Sequence, residues 1–215
     1  PGGHPLTRDA GRIQSTQEAI RAVASPMGEG DPIRWIQYLP GVSTGADGTS
    51  ASFVRGGNMG GNLVSIDGVP VYGYSHVLGL TTVIPNDAIE SVSFAKGGFG
   101  GNNGNFTASH IAISSKQPPE DRNHTTLSLN NFLTGGHISG PVSDKITYAL
   151  SGRISPLGLE YVALKGLMDG HLGSLNHFAA GIGDLYGKIH WNAGSGKWLT
   201  ASTLASLDHY GFSMP

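Results

Sequence analysis

In four stretches between Thr126 and Asp208 apolar side chains recur on every second position, and this alternation constrains the fold more than any other feature of the chain. Leu127 and Leu129 alternate with Thr126, Ser128 and Asn130. Ile146, Tyr148, Leu150 and Ile154 alternate with Thr147, Ala149, Ser151 and Arg153. Further on, Leu185, Ile189 and Trp191 alternate with Tyr186, Lys188, His190 and Asn192. Leu199, Ala201, Thr203, Ala205 and Leu207 alternate with Thr200, Ser202, Ser206 and Asp208. A period of two writes strands with one apolar and one polar face. A polar face that is mostly uncharged fits a transmembrane barrel with lipid outside and a hydrated lumen inside. A soluble β-sandwich alternates as well.

The connections favour the barrel. Segments 141–145 and 193–197 are short, whereas 155–180 is long, and outer-membrane barrels have short turns on one side and long loops on the other. Five strands satisfy this parity. The first rises near His124, a tight turn falls at Thr134-Gly135-Gly136, and the second descends through Ile138 to Val142. No run of about 18 apolar residues occurs, so a membrane-spanning helix is not expected.

Before Lys116-Gln117-Pro118-Pro119 the pattern differs. Short apolar runs are cut by Gly clusters, the pattern of brief strands joined by tight loops. Strands are expected over 52–55, 62–67, 89–95 and 110–115. Asp67-Gly68 is a strong hairpin-turn signal. Asp31 caps a helix whose first residue is Pro32 and which runs to about Leu39 before Pro40-Gly41 ends it. Ser15 and Glu18 have capping-box spacing, which predicts a short helix over 19–24. Residues 1–14 read as an irregular polar lead-in. Tyr72-Gly73-Tyr74-Ser75-His76 reads as an aromatic loop, and 97–105 as a Gly/Asn-rich one. The expected architecture is a lead-in over 1–30, a compact α+β domain over 31–117, and about five barrel strands over 118–215.

Composition narrows the function classes. The net charge is −2 and only 13% of residues are charged, with a pI near 6.5. No clustered Lys or Arg marks a nucleic-acid partner. There is no Cys, so disulfides, thiol chemistry and Cys-based zinc sites are absent from this chain. Nine His occur without His-x-His or His-x-x-x-His spacing, and they read as surface or lumen residues, so no metal or other cofactor is expected. Gly73-Tyr74-Ser75-His76-Val77 is the nearest approach to a nucleophile elbow and lacks the second Gly. Arg55-Gly56-Gly57-Asn58-Met59-Gly60-Gly61 matches neither a P-loop nor a dinucleotide fingerprint. An enzyme is not expected. Pro1-Gly2-Gly3-His4 has no signal-peptide character.

Several motifs occur in one order: Asp31-Pro32-Ile33-Arg34, then Leu39-Pro40-Gly41-Val42, Val54-Arg55-Gly56-Gly57, Ile66-Asp67-Gly68-Val69-Pro70-Val71-Tyr72, and Ala88-Ile89-Glu90-Ser91-Val92 with Lys96-Gly97-Gly98. Together they resemble the plug domain of TonB-dependent outer-membrane transporters, with closest likeness to the Bacteroidetes (SusC-like) type. The resemblance covers 31–115, and the strands after it are consistent with the start of the barrel.

The resemblance implies a plug filling and gating a barrel of about 22 strands. It implies location in the bacterial outer membrane, with the plug in the lumen and the loops outside. It implies uptake of a small nutrient, with the inner-membrane TonB complex, outer-membrane lipid and a possible SusD-like surface lipoprotein as partners. No TonB-interacting segment is evident, and five strands with an open edge imply that the chain is part of a longer protein. The run after Lys96-Gly97-Gly98 also departs from the family pattern.

Arg55 is expected to anchor the plug, with acidic barrel residues or Glu90 as its partner. Tyr72, Tyr74, Ser75 and His76 offer aromatic faces and neutral polar groups, a mixture suited to an oligosaccharide or peptide. The alternative functions are a structural or adhesion component of an outer-membrane assembly without transport, and a soluble β-rich binding protein.

Overall fold

The computed structural model describes residues 7–9, 11–23, 25, 27–45, 52–76, 79–97, 106–156 and 177–213. It forms two compact units, Pro1–Gln117 and Pro118–Pro215.

The first unit is built on a six-stranded sheet of order β1-β2-β9-β10-β5-β6. Its strands are β1 (Thr7–Asp9), β2 (Arg12–Thr16), β5 (Asn62–Ile66), β6 (Val69–Pro70), β9 (Ile89–Ala95) and β10 (Ser109–Ser115). Two small pairs lie outside it: β3 (Val42–Thr44) with β4 (Ser52–Val54), and β7 (Ser75–His76) with β8 (Thr81–Thr82). β10 is central, antiparallel to β9 and parallel to β5. Val92, Phe94, Ile111 and Ile113 are buried there, each such side chain contributing about 1.5–3 kcal/mol of transfer free energy. The short helices α1 (Gln17–Arg21) and α2 (Pro32–Gln37) add Ile20, Ile33, Trp35 and Ile36 to the buried set.

Two aspartates fix local geometry. Asp31 is buried, and its Oδ1 accepts from the N–H groups of Ile33 at 2.8 Å and Arg34 at 3.0 Å, capping α2. Its Oδ2 accepts from the N–H of Thr82 at 2.7 Å, so one carboxylate joins the helix start to β8. Asp67 and Gly68 adopt φ of 48° and 83°, as a two-residue turn between right-twisted strands requires. The Asp67 carboxylate accepts from the Ser115 N–H at 2.9 Å and the Ser115 hydroxyl at 2.6 Å, tying the turn to the end of β10.

Three sequence expectations change in this unit. The lead-in is not irregular throughout, because β2 pairs with β9 from Arg12↔Ala95 to Thr16↔Ser91. Ser15 does not cap a helix, since it is buried in β2 opposite Val92. Thr16 precedes α1 without a side-chain cap bond, and the helix covers Gln17–Arg21 rather than 19–24. Inter-strand hydrogen bonds to β9 outweigh the local capping preference. The segment 72–76 is not a loop throughout either, since Ser75 pairs with Thr82 and His76 with Thr81. The Gly/Asn-rich run from 98 to 105 lies outside the described residues.

The second unit is a five-stranded antiparallel meander: β11 (His124–Leu129), β12 (Thr134–Ser143), β13 (Ile146–Ile154), β14 (His177–Gly194) and β15 (Lys197–Ser213). Ser195 and Gly196, with φ of 53° and 74°, make the β14–β15 turn. The first hairpin turns earlier than Thr134-Gly135-Gly136. Asn130 Oδ1 accepts from the N–H groups of Phe132 at 2.8 Å and Leu133 at 2.7 Å, a local turn that Asn side chains favour. Gly135 instead lies within β12, where a Cβ would sit 2.5 Å from the Gly152 carbonyl oxygen and 2.7 Å from Arg153 Cβ. Close backbone approach, not a turn, requires glycine there.

Burial in this sheet is inverted relative to a water-soluble one. Leu127 (70%), Leu129 (71%), Ile154 (57%), Ile189 (55%) and Leu207 (69%) are exposed, whereas His137, Ser151, Arg153, Asp184 and Lys188 on the opposite face are buried. The cross-strand registers place each set on one face.

Candidate functional site

The β5–β6 turn carries the chain through Val69-Pro70 to Tyr72, which is 82% exposed and lies just before Gly73 at φ 65°. Val71 donates its N–H to the Val64 carbonyl at 2.9 Å, anchoring the segment up to that point. Tyr74 is half-buried, and its carbonyl accepts from the Val83 N–H at 3.0 Å. Ser75 is half-buried and His76 is buried at 1% exposure. The four residues expected to form one ligand surface are therefore split. Tyr72 presents an exposed aromatic face, Tyr74 is half-buried, and Ser75 and His76 are both drawn into the β7–β8 pair.

Arg55 and Glu90 are not brought together. Arg55 occupies a left-handed conformation with φ 51°, donates its N–H to the Gly41 carbonyl at 3.2 Å, and extends Nη1 beside Gly97. Gly97 follows β9, whereas Glu90 stands at its start, roughly 20 Å away at ~3.3 Å of rise per residue. Glu90 belongs to a different charge cluster. Arg21 and Asp87 form an ion pair there. Burial first, then the Arg21 charge, lowers the Lys116 pKa, and Asp87 and Glu90 partly offset this. The Lys116 N–H donates to the Ala88 carbonyl at 2.8 Å, fixing that end of the sheet.

Other polar groupings emerge only from the structure. Ser65 and His110 are buried neighbours hydrogen-bonded at 2.9 Å between Oγ and Nε2. Burial, with a smaller contribution from the Arg12 charge, lowers the His110 pKa. On the polar face of the second unit, His137 Nδ1 meets Ser151 Oγ at 2.7 Å and its Nε2 meets Ser139 Oγ at 3.1 Å. Arg153 Nε donates to Asp184 Oδ2 at 2.7 Å in the same face. The alternation gave the polar face of Ser151 and Arg153, but their pairing with His137 and Asp184 depends on strand register. Among the described residues there is no group of three or more His, Asp or Glu that could hold a metal ion.

Residues 13–109 match the family model described as TonB-dependent Receptor Plug Domain. The solved structure of the siderophore receptor PirA from Acinetobacter baumannii is similar at a TM-score of 0.65 and 18% identity, over 94% of this chain and 32% of that one. The ferric enterobactin receptor of Pseudomonas aeruginosa, in complex with enterobactin, is similar at 0.64 and 20%, over 93% of this chain and 33% of that one. The copper transporter OprC is similar at 0.58 and 12%, over 94% and 31%. The chain thus spans about a third of the length of these structures. No curated protein matches its sequence. The fold is a plug domain followed by antiparallel strands that resemble the barrel of a TonB-dependent receptor.

Proposed function

We propose that this chain is the plug and the first barrel strands of a TonB-dependent transporter in the bacterial outer membrane. The observation that carries this reading is the inverted burial of β11–β15, which follows a segment matching the plug model. Exposed Leu and Ile on one sheet face are stable against hydrocarbon, while the opposite polar face suits a hydrated lumen. In this role the plug gates the lumen, and the inner-membrane TonB complex supplies the pull that opens it. Arg55, left-handed and exposed, serves as a plug anchor toward acidic barrel residues, Glu90 being too far along β9 to reach it.

Substrate meets the plug at Tyr72, with Tyr74 and Ser75 supporting it. An exposed aromatic face with neutral neighbours suits an oligosaccharide or peptide, which needs stacking and hydrogen bonds. The motif order, close to the SusC-like type, adds a SusD-like surface lipoprotein as a further partner. A second reading, a ferric siderophore or copper as cargo, is favoured by the likeness to siderophore receptors and a copper transporter.

Deletion of the full-length protein tests both. Growth lost on one oligosaccharide or peptide source supports the first cargo class, and growth lost only under iron or copper limitation supports the second. Growth of the deletion strain unchanged under every such condition, when the parent strain carries the protein in its outer membrane, would favour a structural role instead.

A further inference from the structure

We propose that the apolar face of β13–β15 holds a slot for one acyl chain of a membrane phospholipid. This rests on the outer-membrane reading and adds a particular lipid contact to it. A cavity of about 360 Å³ opens in this sheet, at the small end of the range of roughly 300–1,000 Å³ seen for ligand pockets. Its outward-facing lining is Tyr148, Leu150, Gly187, Ile189, Ala201 and Thr203.

The register explains why a slot forms there. Leu150, Gly187 and Thr203 lie in one cross-strand row, and Tyr148, Ile189 and Ala201 lie in the next. Each row thus has a tall side chain, or two, beside a residue with little or none. A Cβ at Gly187 would meet Thr203 Cγ2 at 3.4 Å and Leu150 Cδ1 at 3.6 Å, so a longer side chain at that position would occupy the slot. Lys188 and Ser202 also border it, but strand alternation sends their side chains to the opposite face. No charged group is left on the outward lining to receive a headgroup or a sugar. Its chemistry is that of a hydrocarbon chain.

Position along the strand identifies which part of a lipid fits. Gly187 lies eight residues before Ser195, about 27 Å along a strand that rises ~3.4 Å per residue. Trp191, half-exposed on the same face, stands midway to that turn, where barrels carry aromatic girdles at the membrane interface. A phospholipid of the leaflet nearest the Ser195-Gly196 turn would seat its headgroup beyond Trp191. Its chain would run past Ile189 and end over Gly187.

The test uses the full-length protein in phosphatidylethanolamine vesicles containing a phospholipid with a diazirine in mid-chain. After illumination, mass spectrometry maps the adducts. The proposal predicts several-fold more adducts on Tyr148, Leu150, Ile189 and Thr203 than on Leu127, Leu199 and Leu207, which are exposed on the same face. Gly187→Leu and, independently, Ala201→Phe should abolish that excess while total labelling of the sheet persists. Even labelling of the whole face in the wild type overturns the slot, as does an excess unchanged in both variants. Absence of any adduct on β11–β15 would instead retire the outer-membrane reading.

Discussion

Arg153 and Asp184 stand directly opposite each other on β13 and β14, with Nε donating to Oδ2 at 2.7 Å and both side chains almost fully buried. Removing one partner from such a pair leaves a buried charge uncompensated, which costs about 3–5 kcal/mol. Asp184→Ala in the full-length protein should therefore lower the denaturant midpoint strongly. The double variant Arg153→Met with Asp184→Leu should recover much of the loss. Equal destabilisation by the single and double variants would show that the pair acts through something other than mutual charge compensation.

Asp31 offers a similar test in the plug unit. Its carboxylate accepts from two N–H groups of α2 and from the Thr82 N–H. Asp31→Ala removes a helix cap and orphans a buried donor, a loss of about 2–4 kcal/mol. Hydrogen exchange should quicken together at α2 and β8. Asp31→Asn, which keeps an acceptor oxygen, should cost less.

His110 sets a pH dependence. Its pKa lies below the ordinary imidazole value of 6.5 because burial, and then Arg12, disfavour the charged form. The unfolded chain therefore takes up the proton first as pH falls. Stability from the neutral imidazole is fully present above about 6.5 and is lost as pH drops through the folded pKa. Thermal unfolding of the plug should occur at lower temperature at pH 5 than at pH 7.5, and His110→Gln should flatten that difference. An unchanged pH profile in the variant would assign the acid sensitivity elsewhere.

Tyr72 is the exposed member of the expected ligand segment, and its side chain contributes little to the packed core. Tyr72→Ala should weaken uptake while leaving expression and assembly in the membrane unchanged. Uptake kinetics identical to wild type would remove this segment from the ligand path.

Legibility in the sequence followed the range of the physics involved. Strand β9 was bounded correctly because Ile89 to Ala95 lies between turn-forming flanks. Asp67-Gly68 and Asp31-Pro32 declared their turn and cap through local chemistry alone. β2 was missed because Arg-Ile-Gln-Ser-Thr carries only one strongly apolar residue, and its pairing with β9 spans most of the unit. Gly135 looked like a turn because glycine writes the same letter for a bend and for close strand approach. The burial of His76 follows from a two-residue bridge to Thr81 that no local pattern announces. Arg153 and Asp184 meet across a long connection, so the alternation gave the face of Arg153 but not its partner.

The central claim is that the apolar face of β11–β15 meets hydrocarbon, and nitroxide scanning of the full-length protein in outer-membrane vesicles tests it most directly. Single labels would be placed at positions 127, 150, 185 and 189 on one face and at 126, 151 and 188 on the other. Labels of the first set should be accessible to oxygen and shielded from a water-soluble nickel chelate, and those of the second set should show no oxygen preference. Chelate access at the first set equal to that of a water-exposed loop would contradict a membrane-embedded barrel wall.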